Sequence, residues 1–314
     1  MARILRDAGL AELVESPEVE CLARGFAFTE GPLWCPDGTL LFQDNQAEKT
    51  YRMLGDRSVQ LVRERTGAAN GQTFGPDGRI LFCEQNGRRV SRMAADGSNE
   101  EPLVETWSGQ RLNSPNDVVC RSDGLVYFTD PPYGVAPAER ALHFQGVFSL
   151  DLSCGEPRDD AVRLRLDDFE KPNGLAFSPD ERVLYICDTA RYQIRAYEVQ
   201  PSGELNRASG RVFARMDPSE RGGPDGVKVD REGRVYAAVA EGIWVYETDG
   251  RLLGILALPA RPANLAWCDR DARGLAMTAV DAVYYVRLRV PGRMPPFLEV
   301  AAGGSRVPGE DQPD

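Results

Sequence analysis

The chain has 314 residues, 42% of them hydrophobic, and a formal net charge of −11. That acidity excludes nucleic acid and anionic membrane surfaces as expected partners, and no apolar run approaches the ~20 residues of a membrane-spanning helix. The seven cysteines are scattered without paired spacing, so they read as buried thiols in a reducing cytoplasm, not as a disulfide framework or a zinc knuckle.

Residues 1–17 carry no long apolar stretch and no small-residue cleavage site, so no signal peptide is expected. A short helix is expected from Ile4 to Val14, on an irregular apolar face of Leu5, Leu10, Leu13 and Val14. Val19 to Phe28 reads as a strand. The chain then repeats one pattern six times: a polar residue, an apolar strand, a polar turn. The first copy runs from Glu30 through Leu33 and Trp34 to Pro36-Asp37-Gly38. Asn70 leads to Pro76-Asp77-Gly78, Asn116 to Ser122-Asp123-Gly124, and Asn173 to Ser178-Pro179-Asp180. Asp225 leads to Arg231-Glu232-Gly233, and Asn264 to Asp269-Arg270-Asp271. In the first, second, third and fifth copies the leading residue stands eight positions before the turn glycine. The register is therefore fixed.

After each turn comes a second strand, such as Leu40–Phe42, Ile80–Phe82 or Val183–Ile186. A third follows, such as Thr50–Leu54 or Gln193–Val199. In five copies there is a fourth, such as Val59–Val62 or Arg211–Arg215. These runs are short, rich in β-branched and aromatic residues, and bounded by Gly, Pro, Asn and Asp. The period ranges from 39 to 57 residues. Four strands per period of this size mark a β-propeller blade. The expected fold is thus all-β, a six-bladed β-propeller of antiparallel four-stranded blades. A β-sandwich or an open solenoid fits the even register of six turns less well. The sixth copy lacks a fourth strand, and Val19–Arg24 is spare at the other end. Joining the two closes the ring and covers its edges. Residues 18–300 then form one propeller, with residues 1–17 as an N-terminal segment and 301–314 as a disordered tail. The longest insertion, Pro131–Gly146, should form a loop over one face.

In a propeller the first strand of each blade lines the central channel. Glu30, Asn70, Asn116, Asn173, Asp225 and Asn264 should therefore make one ring of two carboxylates and four amide oxygens. For a single such residue, bonding to a turn backbone is the simpler reading. Six in register are harder to explain that way, and Glu30 before Gly31-Pro32 does not suit an Asx turn. Hard oxygen donors suit Ca2+, with Mg2+, Mn2+ or Zn2+ as alternatives. A conventional zinc site would need His or Cys, and the chain has one histidine. Three or four of the six residues should touch the ion.

A second column lies 14 or 15 positions after the first: Asp44, Glu84, Asp130 and Asp188. These side chains either support the ring and face substrate, or end strands by bonding backbone amides. Tyr133, in Asp130-Pro131-Pro132-Tyr133-Gly134, either caps the channel mouth or is a turn aromatic. His143 has no Ser or Cys partner motif and reads as a loop residue. Glycine-rich phosphate loops are absent.

The stretches EGPLW, LNSPNDVV, YFTDPPYG, PNGLAFSPDE, YICDT, GGPDGVKVD and PANLAW resemble the gluconolactonase / senescence marker protein (regucalcin) / luciferin-regenerating family, and bacterial gluconolactonase-like members most closely. The resemblance implies a six-bladed propeller, a divalent cation, commonly Ca2+, and hydrolysis of sugar-acid or similar lactones. It places metal ligands at Glu30, Asn173 and Asp225, with Asn116 beside the metal and facing substrate. Animal members carry an arginine two residues before Asn116. Here Ser114 stands there, and Arg111 lies further back as a candidate substrate contact. Many bacterial relatives read Glu-His where this chain has Glu84-Gln85.

The expected activity is a metal-dependent lactonase acting on a small lactone, with water as nucleophile. Asp225 is the candidate general base as well as ligand, with Asp188 or Asp130 acting through a water as substitutes. Asn116 and Asn70 would orient the lactone. Two alternatives stand: phosphotriester or ester cleavage at the same cation, and a calcium-binding propeller without chemistry.

Overall fold

The computed structural model describes residues 3–16, 18–153, 161–219 and 222–298. The tail expected at 301–314 lies outside them. Six four-stranded antiparallel sheets follow one another around a ring. The first blade comprises Thr29–Trp34, Leu40–Asp44, Lys49–Met53 and Val59–Glu64. The leading polar residue stands at the entry of each innermost strand: Glu30, Asn70 and Asn173 are second in Thr29–Trp34, Ala69–Phe74 and Pro172–Phe177, Asn264 is third in Pro262–Cys268, and Asn116 and Asp225 come two residues before Val118–Cys120 and Val227–Val229.

The turn after the first strand has a local cause. Asp37 Oδ1 accepts the Thr39 N–H at 3.1 Å, and Asp77 Oδ1 accepts the Arg79 N–H at 3.0 Å. An aspartate that bonds backbone two residues on nucleates a tight turn without long-range help. Each second strand then buries a side chain between blades. Phe42, Phe82, Phe128, Ile186, Ala237 and Met277 are all fully buried. The large ones contribute roughly 1.5–3 kcal/mol each by leaving water.

Ring closure follows the expected scheme. Glu20–Arg24 pairs with the third strand of the sixth blade, Glu20 opposite Tyr285 and Arg24 opposite Ala282. A chain whose two ends share one sheet cannot open without breaking that sheet. Beyond the sixth blade, residues 291–298 turn back under the ring. The Arg293 N–H donates to Val229 O at 3.1 Å, and Phe297 is buried.

The N-terminal expectation is corrected. The helix covers only Leu10–Leu13, and Arg3–Leu5 is a strand. It adds a fifth strand to the fifth blade, Ile4 opposite Leu256. The outer strand Leu252–Ala257 offers free backbone groups and an apolar face, which satisfy Ile4 and Leu5 better than an isolated helix would. Among the described residues no helix is long and apolar enough to cross a membrane.

Candidate metal centre in the propeller channel

The six leading residues form a closed ring, each blade touching the next. A Cβ on Gly31 would stand 2.0 Å from Asn70 O, so the first two blades meet at a glycine. The Gly71 N–H donates to Asn116 O at 2.9 Å, and Thr129 Oγ1 donates to Asn173 O at 2.8 Å. The Gly174 N–H donates to Asp225 O at 3.1 Å, and the Gly226 N–H to Ala263 O at 2.8 Å. Thr29 Oγ1 donates to Ala282 O at 2.9 Å and closes the circuit between the sixth and first blades.

Glu30, Asn70, Asn116, Asn173 and Asn264 are buried. Asp225 keeps 15% of its side chain exposed, which makes it the edge of the ring that solvent reaches. Burial holds the Glu30 carboxyl well above the usual carboxylate range, and the neighbouring Asp225 charge adds to it; the Gly31 N–H, at 2.9 Å, works against it. Burial likewise pushes Asp225 up to about 7, opposed by Arg261. Arg261 stands 4.0 Å away and is half exposed, so it neutralises Asp225 weakly. Asn173 Nδ2 donates to Tyr133 Oη and Thr189 Oγ1, both at 3.0 Å. Those bonds leave its amide oxygen for the ring. The Asn70 and Asn116 side chains make no hydrogen bond among the described residues that would fix them elsewhere.

Two buried carboxylates that repel each other, with no strong basic partner, need a cation or protons. With amide oxygens beside them they fit a hard divalent ion. Among the described residues no three His, Cys, Asp or Glu side chains are grouped to hold a metal. Any site here therefore depends on the asparagines.

The second column separates from the first. Asp44 accepts the Ala27 and Phe28 N–H groups, both at 2.9 Å. Asp130 accepts those of Asn113 and Ser114 at 2.8 and 2.7 Å, and Asp188 those of Glu170 and Lys171 at 3.1 and 3.0 Å. Glu84 accepts from Arg89 Nε at 2.7 Å and Ser91 Oγ at 2.5 Å. The backbone-bonding reading holds for Asp44, Asp130 and Asp188, while Glu84 is held by side chains instead. Asp130 and Asp188 brace the segment entering each first strand and do not stand free as bases. Arg111 is exposed on the short hairpin Thr106–Trp107 and Gln110–Arg111, where Nη2 donates to Gly87 O at 3.2 Å. His143 is exposed on the insertion. Tyr133 does reach the ring through Asn173, with Lys171 Nζ 4.9 Å from its ring centroid.

Residues 28–281 match the model of the SMP-30/Gluconolactonase/LRE-like region. The chain belongs to that family. It is 30% identical over 301 residues to the gluconolactonase of Zymomonas mobilis subsp. mobilis, covering 88% of this chain and 83% of that one. Its fold matches a gluconolactonase structure from Xanthomonas campestris with a TM-score of 0.81 and 31% identity, over 92% of this chain and 95% of that one. A calcium-binding regucalcin from Agrobacterium tumefaciens shares the fold at a TM-score of 0.74 and 18% identity, over 88% and 95% of the two chains.

Within this family frame, two channel residues escaped sequence reasoning. Asp117 and Lys228 are ionic neighbours, 3.9 Å apart. The signals were present. Asp117 replaces the glycine that follows four of the six ring residues, and Lys228 is a lone charge inside Val227–Val229.

Proposed function

We propose that this family member is a divalent-cation-dependent hydrolase that opens a small lactone of the sugar-acid type to its hydroxy acid. The observation that carries the reading is the ring itself: Glu30 and Asp225 lie in one channel where the half-exposed Arg261, 4.0 Å from Asp225, is the only cation paired with either among the described residues, beside asparagines left free to bind. The lactonase relatives, similar over most of the chain, support the substrate class. Glu30, Asn173 and Asp225 would hold the ion, with Asn116 beside it. A bound Ca2+ would supply Lewis-acid polarisation of the lactone carbonyl.

The remaining work falls to side chains. Asn116 and Asn70 donate amide hydrogens to the lactone oxygens and fix the carbonyl carbon for attack. Asp225, at the solvent-reached edge, accepts a proton from the attacking water. The water oxygen bonds to the carbonyl carbon, the ring C–O bond breaks, and the proton passes to the departing alkoxide. Tyr133 covers the mouth and limits bulk water.

The test is a pH-stat screen of γ- and δ-lactones with chelated and with Ca2+-reloaded protein. Opening of at least one lactone by the reloaded protein, lost on chelation, is expected. Ca2+ binding with no lactone opened above the buffer rate would support a binding role instead. A chain equally active after chelation would remove the cation from the proposal.

A further inference from the structure

Four of the six ring residues are followed by glycine, whereas Asn116 is followed by Asp117 and Asn264 by Leu265. The glycines exist because the innermost strands press together. A Cβ on Gly71 would stand 2.0 Å from Asp117 Oδ1, so Asp117 fills the space its neighbour leaves. The Asp117 side chain is 3% exposed. Its Oδ1 accepts the Val118 N–H at 2.9 Å, while Oδ2 has no hydrogen-bond partner among the described residues. An uncompensated buried carboxylate is strongly destabilising.

The compensation comes from the next strand but one. Lys228 Nζ stands 3.9 Å from Asp117 Oδ2 and donates to Val227 O at 3.1 Å and Asn264 Oδ1 at 3.5 Å. Asn264 is itself one of the six ring residues, so the ammonium touches the ring directly. Lys228 also lines a small cavity at the opposite ends of the same strands, with Trp34, Phe177 and Trp267. It is tethered to its strand and cannot leave as a free ion would.

We propose that Lys228 is a positioning residue, a fixed internal cation that pairs with Asp117 on the floor of the ring. The channel then holds three carboxylates, Glu30, Asp117 and Asp225, and one ammonium. Leaving out the half-exposed Arg261, which screens Asp225 only from the solvent side, the interior charge is two negatives and matches a single divalent ion at the mouth. Without Lys228 the cluster is over-charged; without Asp117 it is under-charged. The inference rests on the ring being a cation site.

Charge balance sets opposite expectations for the two partners, measured by Ca2+ calorimetry at pH 8.5. Asp117→Asn should weaken Ca2+ binding by about ten-fold or more, and Lys228→Met should tighten it by about three-fold or more. The double variant restores the net charge and should return to within about three-fold of the parent. Melting of the metal-free proteins gives a second readout. Lys228→Met should melt lower than the parent, and adding Asp117→Asn should recover most of the loss. Single variants that shift affinity in the same direction, or a double variant that fails to return, would overturn the proposal. A parent chain that binds no Ca2+ overturns the ring reading itself, and that failure is visible before any variant is made.

Discussion

The two columns of acidic side chains occupy neighbouring strands, yet they meet opposite fates. At the start of the first strands, the Asp225 charge helps hold the Glu30 carboxyl up, with the Gly31 N–H on Glu30 and Arg261 4.0 Å from Asp225 as weak compensation. At the end of the second strands, Asp44, Asp130 and Asp188 are each satisfied by two backbone N–H groups. Both sets are buried or nearly so. The difference is what each has for a partner. A carboxylate clasped by amides has its partners within the protein and serves the fold, even where burial pushes it up to about 7, as at Asp130. A carboxylate pushed against another carboxylate is unfinished and has affinity left for a ligand.

The largest effect should come from removing a charge in the unfinished column. Glu30→Gln and Asp225→Asn should each lose about 3 kcal/mol of Ca2+ affinity, on the order of 10²-fold, as when one member of a buried charge set is deleted. Calorimetry checks this, and variants that bind as tightly as the parent would move the site elsewhere. Asn116→Ala should lose on the order of 10²-fold in kcat/KM, ~2.7 kcal/mol, the lower range for one donor at a developing oxyanion. Its Ca2+ affinity should change little by comparison, since the proposed role of Asn116 is to orient substrate more than to anchor the ion. Unchanged turnover on the best lactone would take Asn116 out of catalysis.

Changes in the finished column should instead appear in stability. Asp188→Asn should cost roughly 1.5–3 kcal/mol in urea unfolding, the range for hydrogen bonds to a charged group. The folded variant should keep its Ca2+ affinity, and a loss as deep as that of Glu30→Gln would erase the distinction between the columns. A smaller, pH-dependent effect follows from the raised Glu30 and Asp225 carboxyls. In the metal-free protein both bind protons more tightly folded than unfolded, as does Asp130, which burial also pushes up to about 7 and whose share Ca2+ in the channel should leave in place. Between the unfolded value near ~4 and about 7 for Asp225, the native state therefore holds more protons, and stability falls as pH rises. Melting the chelated protein across that window should show the decline, and added Ca2+ should reverse the Glu30 and Asp225 share. A flat profile in the chelated protein would mean the carboxylates are compensated already.

Most of the fold was legible because one short register recurs six times. Glu30, Asn70, Asn116, Asn173, Asp225 and Asn264 begin equivalent strands, and ring closure by Glu20–Arg24 follows from one strand spare at each end. Arg3–Leu5 was misread because its apolar residues suit a helix locally, while the free edge that captures them lies some 250 residues away at Leu252–Ala257. The ring was legible for the same reason as the blades. The second column was not, since a carboxylate at a strand end gives no sign of where it points. Its partners are the amides of residues 27–28, 113–114 and 170–171, brought there by loops without a repeating pattern. The hairpin that carries Arg111 was not legible either, because it interrupts the repeat.

The central claim is that the first-strand column, and not the second, is a single-cation site. A crystal grown with Ca2+ and examined by anomalous scattering tests it directly. The account predicts one strong peak per chain, with oxygens of Glu30, Asn173 and Asp225 at about 2.3–2.6 Å. A peak beside Asp44, Asp130 or Asp188, or no peak in the channel at saturating Ca2+, would contradict it.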